Sequence, residues 1–217
     1  MELIIGNKNY SSWSLRGWLM LKGFDIPFTE IKLPLRTDIF NQQIGQYTAA
    51  RKVPALIDGD IRVWDSLSIC EYINETYLDG KGWPLSASDR ALARSISCEM
   101  HSGFFNLRAE MPMNCRAKRN MQPSDLALEE IKRIDNIWAT CREKSSTQGE
   151  WLFGDFSIAD IMYAPVALRF ATYQTKLSDL SSDYVTSVLN HPAVIEWTDE
   201  AMGEEEIIQA EEVGTPV

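Results

Sequence analysis

Three serines crowd one predicted helix start, in Tyr10-Ser11-Ser12-Trp13-Ser14-Leu15-Arg16. Hydroxyls there act as N-caps, because the first backbone N–H groups of a helix lack helical partners. The same place stabilises an anion, since those N–H groups point outward and carry partial positive charge. A Ser-His-Asp triad is poorly supplied, with His101 and His191 the only histidines. A second constellation spans 50–66. Lys52-Val53-Pro54 leads into Ala55-Leu56-Ile57, Asp58-Gly59 is a two-residue hairpin signal, and Ile61-Arg62-Val63-Trp64 returns. Pro54 cannot donate to a ladder, so it belongs before the strand or at its first residue. Asp65-Ser66 then caps a helix. Exposed backbone at Val53 beside a helix start at Ser66 can hold a peptide with a free carboxylate.

Particular elements must position these residues. Leu3-Ile4-Ile5, stopped by Gly6-Asn7, reads as a buried strand. Helical spacing continues from the serines through Leu15, Trp18 and Leu19 to a stop at Gly23. Residues 28–33 alternate as a strand, and 37–47 form a weaker helix. After the hairpin, Leu67, Ile69, Cys70, Ile73 and Tyr77 describe a helix ending near Asp79-Gly80. Trp64 and Tyr72 are expected in the core. The order β-α-β-α-β-β-α is that of a thioredoxin-like domain, with a right-handed first crossover.

No strand pattern follows. Helices are expected at 89–111, from Pro123-Ser124-Asp125 onward, and at 157–173, 182–189 and 192–202, with a loop at 145–150. Ser157 and Asp160 have the spacing of a capping box. The predicted fold class is therefore α/β plus all-α. A thioredoxin-like domain at 1–79 and a linker at 80–88 precede an all-helical domain at 89–203 and an acidic tail at 204–217.

Composition narrows the function classes. Hydrophobic residues make 45% of the 217 and charged residues 24%, ordinary for a soluble globular chain. No apolar run approaches the roughly 20 residues a membrane span needs, and no secretory signal pattern opens the chain. Cys70, Cys98, Cys115 and Cys141 show no CxxC spacing, so neither a metal site nor a redox pair is expected, and a reducing cytoplasm fits. A net charge of −10 disfavours nucleic acid and anionic lipid as partners. From Asp199 onward there are seven acids and no Lys or Arg, leaving −3 for the rest of the chain. Such a tail reads as a solvated end.

The 50–66 segment resembles the glutathione-binding half of the cytosolic glutathione S-transferase family, through Lys52-Val53-Pro54 and Asp65-Ser66. Ser157-Ile158-Ala159-Asp160 resembles the family's helical-domain capping box, and the two-domain plan extends the resemblance over nearly the whole chain. It implies a cis Pro54, pairing of the Val53 backbone with the cysteinyl part of glutathione, and a grip on the γ-glutamyl end by Asp65 and Ser66. Lys52 joins that site.

The serine run is similar to that of the tau, theta and zeta-like members, whose active serine stands five residues before an arginine. That maps to Ser11 and Arg16, with Ser12 the rival. The implied catalyst is a hydroxyl that keeps the glutathione sulfur as thiolate, with no metal. The implied second substrate is a small apolar or aromatic electrophile, or a peroxide. By resemblance His101 and Phe105 face its pocket, at helical spacing with Phe104 and Arg108. Trp13 walls that pocket or packs beneath the second domain, and His101 orients a carboxylate or simply packs. Zeta isomerases carry a cysteine where Trp13 stands here. A zeta-like glutathione-dependent isomerase and a noncatalytic regulatory protein on the same fold are the alternatives. A homodimer is implied as well.

Overall fold

The computed structural model describes every residue except Ser146, which falls in the loop expected at 145–150. β1 (Glu2–Ile5), α1 (Ser12–Gly23), β2 (Thr29–Lys32), α2 (Asp38–Tyr47), β3 (Ala55–Asp58), β4 (Ile61–Trp64) and α3 (Ser66–Tyr77) follow in the expected order. They build a mixed sheet ordered β2-β1-β3-β4. β1 runs parallel to β2 and antiparallel to β3, with Leu3 opposite Leu56, and β3 is antiparallel to β4. Strand alternation sends Leu3 and Ile5 of β1 into a core shared with Leu15, Trp18, Ile69 and Ile73 of α1 and α3. Ile4 points to the other face and packs with Leu33, Ile44 and Ala55, beneath α2. This is the thioredoxin-like plan.

The helical half comprises α4 (Ala87–Ser102), α5 (Phe105–Glu110), α6 (Asp125–Ser145), α7 (Ile158–Thr172), α8 (Asp179–Asn190) and α9 (Pro192–Met202). α7 is buried along nearly its whole length. It is apolar on almost every side, as a helix at the centre of a bundle must be. α1 packs on α3 and on α7, so the element that carries the serines also joins the two halves.

The capping box at the start of α7 is present. The Asp160 carboxylate accepts from the Ser157 backbone N–H at 2.9 Å, from the Ser157 hydroxyl at 2.8 Å and from the Leu152 N–H at 3.0 Å. Burial pushes its carboxyl up to about 6, against the downward pull of those bonds. Ser157→Ala is expected to cost about 0.5–2 kcal/mol of stability. Chemical denaturation should show it as a lower midpoint at an unchanged m-value.

Four features differ from expectation. The single helix at 89–111 breaks at Gly103-Phe104. There the Gly103 N–H closes α4 onto the Glu99 carbonyl, and Phe104 adopts φ +57, which no α-helix can continue. Trp64 is 50% exposed instead of core, because β4 is an edge strand and Trp64 is its last residue. Two-residue strands β5 (Arg119–Asn120) and β6 (Thr215–Pro216) pair antiparallel, and are too short to leave a periodic signal. Finally, the acidic end is not simply solvated: Glu204 is 7% exposed and its carboxylate takes backbone N–H donors from the N-terminal half.

Candidate functional site

Ser11 is the N-cap of α1 and Ser12 its first residue. The Ser11 hydroxyl accepts from the Ser14 N–H at 3.4 Å and donates to the Ser14 hydroxyl at 2.7 Å. Ser14, fully buried, also accepts the Gly6 N–H at 3.0 Å and so ties the helix head to the end of β1. The Ser12 hydroxyl accepts from Arg169 Nη2 at 3.2 Å. Ser11 and Ser12 both line a cavity of about 650 Å³.

A second cavity, of about 560 Å³, adjoins the first and is lined by Lys52, Val53, Pro54, Trp64, Asp65 and Ser66. Val53 precedes the β3 ladder, and the Val53–Pro54 peptide is cis. α1 approaches this turn closely: a Cβ on Gly17 would stand 3.1 Å from the Pro54 side chain. Asp65 caps α3, accepting the N–H groups of Leu67 at 3.0 Å and Ser68 at 3.3 Å. It does so at φ +75, a conformation that costs a non-glycine residue on the order of 1–3 kcal/mol and is met mostly at functional positions. Ser66 is buried, and its hydroxyl finds no partner among the described residues. His101 Nε2 lies 3.0 Å from Asp65 Oδ2, reaching across from α4.

Trp13, Lys52, Val53 and Arg108 line both cavities and so form the seam between them. The Arg16 and Arg108 guanidiniums lie 4.4 and 4.6 Å from the Trp13 ring centroid, and His101 meets that ring edge-on at 5.2 Å. Arg16 donates to the Met162 carbonyl at 3.1 Å, and Arg169 to that of Met111 at 2.8 Å. Burial, then repulsion from neighbouring arginines, brings Arg16 down to about 9 and Arg169 down to about 10. Both remain cationic at neutral pH. Among the described residues no carboxylate pairs with Arg16, Arg108 or Arg169. Buried Arg169 and half-buried Arg108, lining the larger cavity beside the positive end of α1, favour an anion in the cleft.

The residues expected to bind glutathione, activate its sulfur or line the electrophile pocket border this cleft or touch its wall. Ser11, Trp13 and Phe105 line the larger cavity, and Asp65 and Ser66 the smaller one. His101 reaches the site through Asp65 and Trp13 instead of lining either cavity. Sequence reasoning missed Arg169 and took Ser14 only as one of three competing caps. Arg169 did leave a signal, as the one cation of a largely apolar helix. Three thiols are held toward the protonated form: desolvation pushes Cys141 up to about 11, Cys115 up to about 12 and Cys70 higher still.

Comparison with known proteins places the chain. Residues 10–76 match the family model for the glutathione S-transferase N-terminal domain. A maleylacetoacetate isomerase of Rattus norvegicus is 31% identical over 170 residues, covering 77% of this chain and 76% of that protein. The glutathione S-transferase Z1 of Arabidopsis thaliana is 33% identical over 172 residues, covering 73% and 77%. A dichloromethane dehalogenase of Methylorubrum extorquens is 40% identical over 60 residues, which span 27% of this chain and only 20% of that protein. Among solved structures, a glutathione transferase homolog from Burkholderia with bound glutathione superposes with a TM-score of 0.69 at 21% identity, over 94% of this chain and 98% of that one. A maleyl pyruvate isomerase, a bacterial zeta-class protein, gives a TM-score of 0.70 at 16% identity, over 95% and 100%. With isomerase and transferase relatives above 30% identity aligned across three quarters of their length, the chain belongs to the glutathione S-transferase family.

Proposed function

We propose that the protein is a glutathione transferase that holds the glutathione sulfur as thiolate with a serine hydroxyl and adds it to a small electrophile. The observation that carries this reading is the adjacency of the two cavities across Trp13 and Val53. One offers an α3 start with a charged cap and a free buried hydroxyl, suited to the γ-glutamyl carboxylate and ammonium. The other offers hydroxyls at the head of α1, where a thiolate gains from the helix end and the arginine cluster. Lys52, the Val53 backbone, Asp65 and Ser66 hold the tripeptide. Ser11 donates to sulfur. Hydroxyl hydrogens rotate, so Ser14 can reverse its bond and donate to Ser11, freeing the Ser11 proton for the thiolate. Ser14→Ala is accordingly expected to slow conjugation about five- to tenfold and to leave the glutathione Kd unchanged. Steady-state kinetics beside calorimetric titration would check both halves.

The test of function is direct. The protein should be retained on immobilised glutathione and should conjugate a generic aromatic halide. Retention without turnover of any electrophile would favour a noncatalytic binding protein instead. The same proposal includes a homodimer acting in the cytoplasm, which light scattering on the purified protein would read for the oligomeric part.

A glutathione-dependent isomerase is the second reading, and one observation favours it. The larger cavity sets Arg36, Arg108 and Arg169 among apolar Trp13, Phe105 and Ile208. Such a wall suits an electrophile that carries a carboxylate. In that chemistry the thiolate adds to one carbon of a cis alkene conjugated to a carbonyl. The former double bond rotates, and the thiolate leaves as the trans alkene forms, so no glutathione is consumed. Isomerisation of a cis-enone carboxylate faster than halide conjugation, and lost in Arg169→Met, would select this reading. Trp13 in place of cysteine requires the reaction to run without a protein thiol at that position.

A further inference from the structure

The acidic C-terminal segment, which the cleft chemistry leaves unused, is fastened to the back of the serine loop. Beyond α9 the chain turns at Gly203 and the two oxygens of Glu204 accept separate backbone donors. Lys8 N–H reaches Oε1 at 2.8 Å and Asn9 N–H reaches Oε2 at 3.0 Å. Lys32 Nζ lies 3.1 Å from the same Oε1. Arg116 donates to the carbonyls of Glu204 and Glu206 and to the Tyr10 hydroxyl. That hydroxyl donates in turn to Glu212 at 2.6 Å, which also accepts from Asn114 at 2.9 Å and pairs with Arg119. The β5–β6 pair closes the far end of the segment. Lys8, Asn9 and Tyr10, the residues immediately before Ser11, are thus held by 204–212 or by side chains that segment engages.

A loop between a strand and a helix carries backbone donors that need partners, and an ionised carboxylate is the strongest one available. Productive placement of a reacting hydroxyl tolerates errors of only about 0.5 Å. We propose that Glu204 is a positioning residue for the serine hydroxyl. Its carboxylate sets the loop that carries Ser11, and the acidic segment is a strap that keeps the head of α1 aligned with the cleft. The inference rests on the serine–thiolate reading above.

Glu204→Gln tests it with almost no change of shape. One carboxylate oxygen becomes an NH2 group that must face an N–H donor, so one of the two loop bonds is lost. Two readouts are taken on the full-length protein: amide hydrogen exchange at Lys8 and Asn9, and the pH–rate profile for conjugation of glutathione to an aromatic halide. Exchange at whichever of the two amides then faces the NH2 group should quicken about tenfold. The acid limb of the profile should move up by about half to one pH unit, with the glutathione Kd within about threefold of wild type. Tyr10→Phe, which removes the hydroxyl's bonds to Glu212 and Arg116 but leaves both Glu204 bonds to the loop, should shift the profile the same way by less. Glu205→Gln, on the same segment without a bond to the loop, should shift neither readout. A lower melting temperature with an unmoved profile in both Glu204→Gln and Tyr10→Phe would reduce the strap to a stabilising element and overturn the proposal. Ser11→Ala and Ser12→Ala run alongside. Unmoved profiles in those two would overturn the serine reading itself, and the exchange rates of Lys8 and Asn9 would then decide alone whether the strap holds the loop.

Discussion

Ser11→Ala is expected to lower kcat for conjugation about 10²-fold while leaving the glutathione Kd within a factor of about three. In the proposed mechanism the hydroxyl donates to charge that is fully developed only on the thiolate, so its loss penalises the ionised sulfur and not the bound tripeptide. The helix end and the arginines remain, so the residual rate should stay above that of free glutathione. The rate should also recover as pH rises, because the variant's thiol ionises at higher pH. Ser12→Ala is expected to have the smaller effect, since its hydroxyl accepts from Arg169 and Ser11 still caps the helix. The opposite ranking, with Ser12→Ala the damaging change, would move the catalytic hydroxyl by one residue.

Asp65→Ala should produce the complementary pattern, a glutathione Kd raised roughly 30- to 100-fold with kcat at saturation little changed. In the proposed scheme the carboxylate is the counter-charge that the smaller cavity offers to the γ-glutamyl ammonium. It also caps α3 and meets His101. Alanine therefore removes a charge and a cap together, and about 1 kcal/mol of stability should go with the cap. Asp65→Asn separates the two effects. Asparagine is as good an N-cap, so stability should return while binding stays weak. Calorimetric titration beside thermal unfolding resolves them. Equal binding by the asparagine variant and wild type would remove the ammonium contact from the scheme.

The sequence made the sheet and the candidate site's outline legible because each piece carried a local signature. Asp58-Gly59 marks the hairpin, Pro54 the start of β3, and the three serines the start of α1. Side-chain roles set by long-range packing were not legible. Trp64 reads as core from its type, yet it ends an edge strand and opens onto a cavity. The break after Ser102 turns on Phe104 in a left-handed conformation, which no periodicity announces. Arg169 approaches Ser12 from a helix 157 residues away in sequence. The acidic end was misread because charge alone favours solvent. The partners of Glu204 are backbone donors of the loop before Ser11, and a composition count cannot see them.

One titration tests the central claim most directly, that the head of α1 keeps the sulfur of bound glutathione ionised. The ultraviolet absorbance of the thiolate is followed against pH for glutathione bound to the wild-type protein, with the S-methyl derivative as blank. The expected midpoint lies at least about one unit below the ordinary thiol value near 8.5, and rises toward it in Ser11→Ala. A bound thiol that titrates where the free tripeptide does, in wild type as in the variant, would contradict the serine mechanism outright.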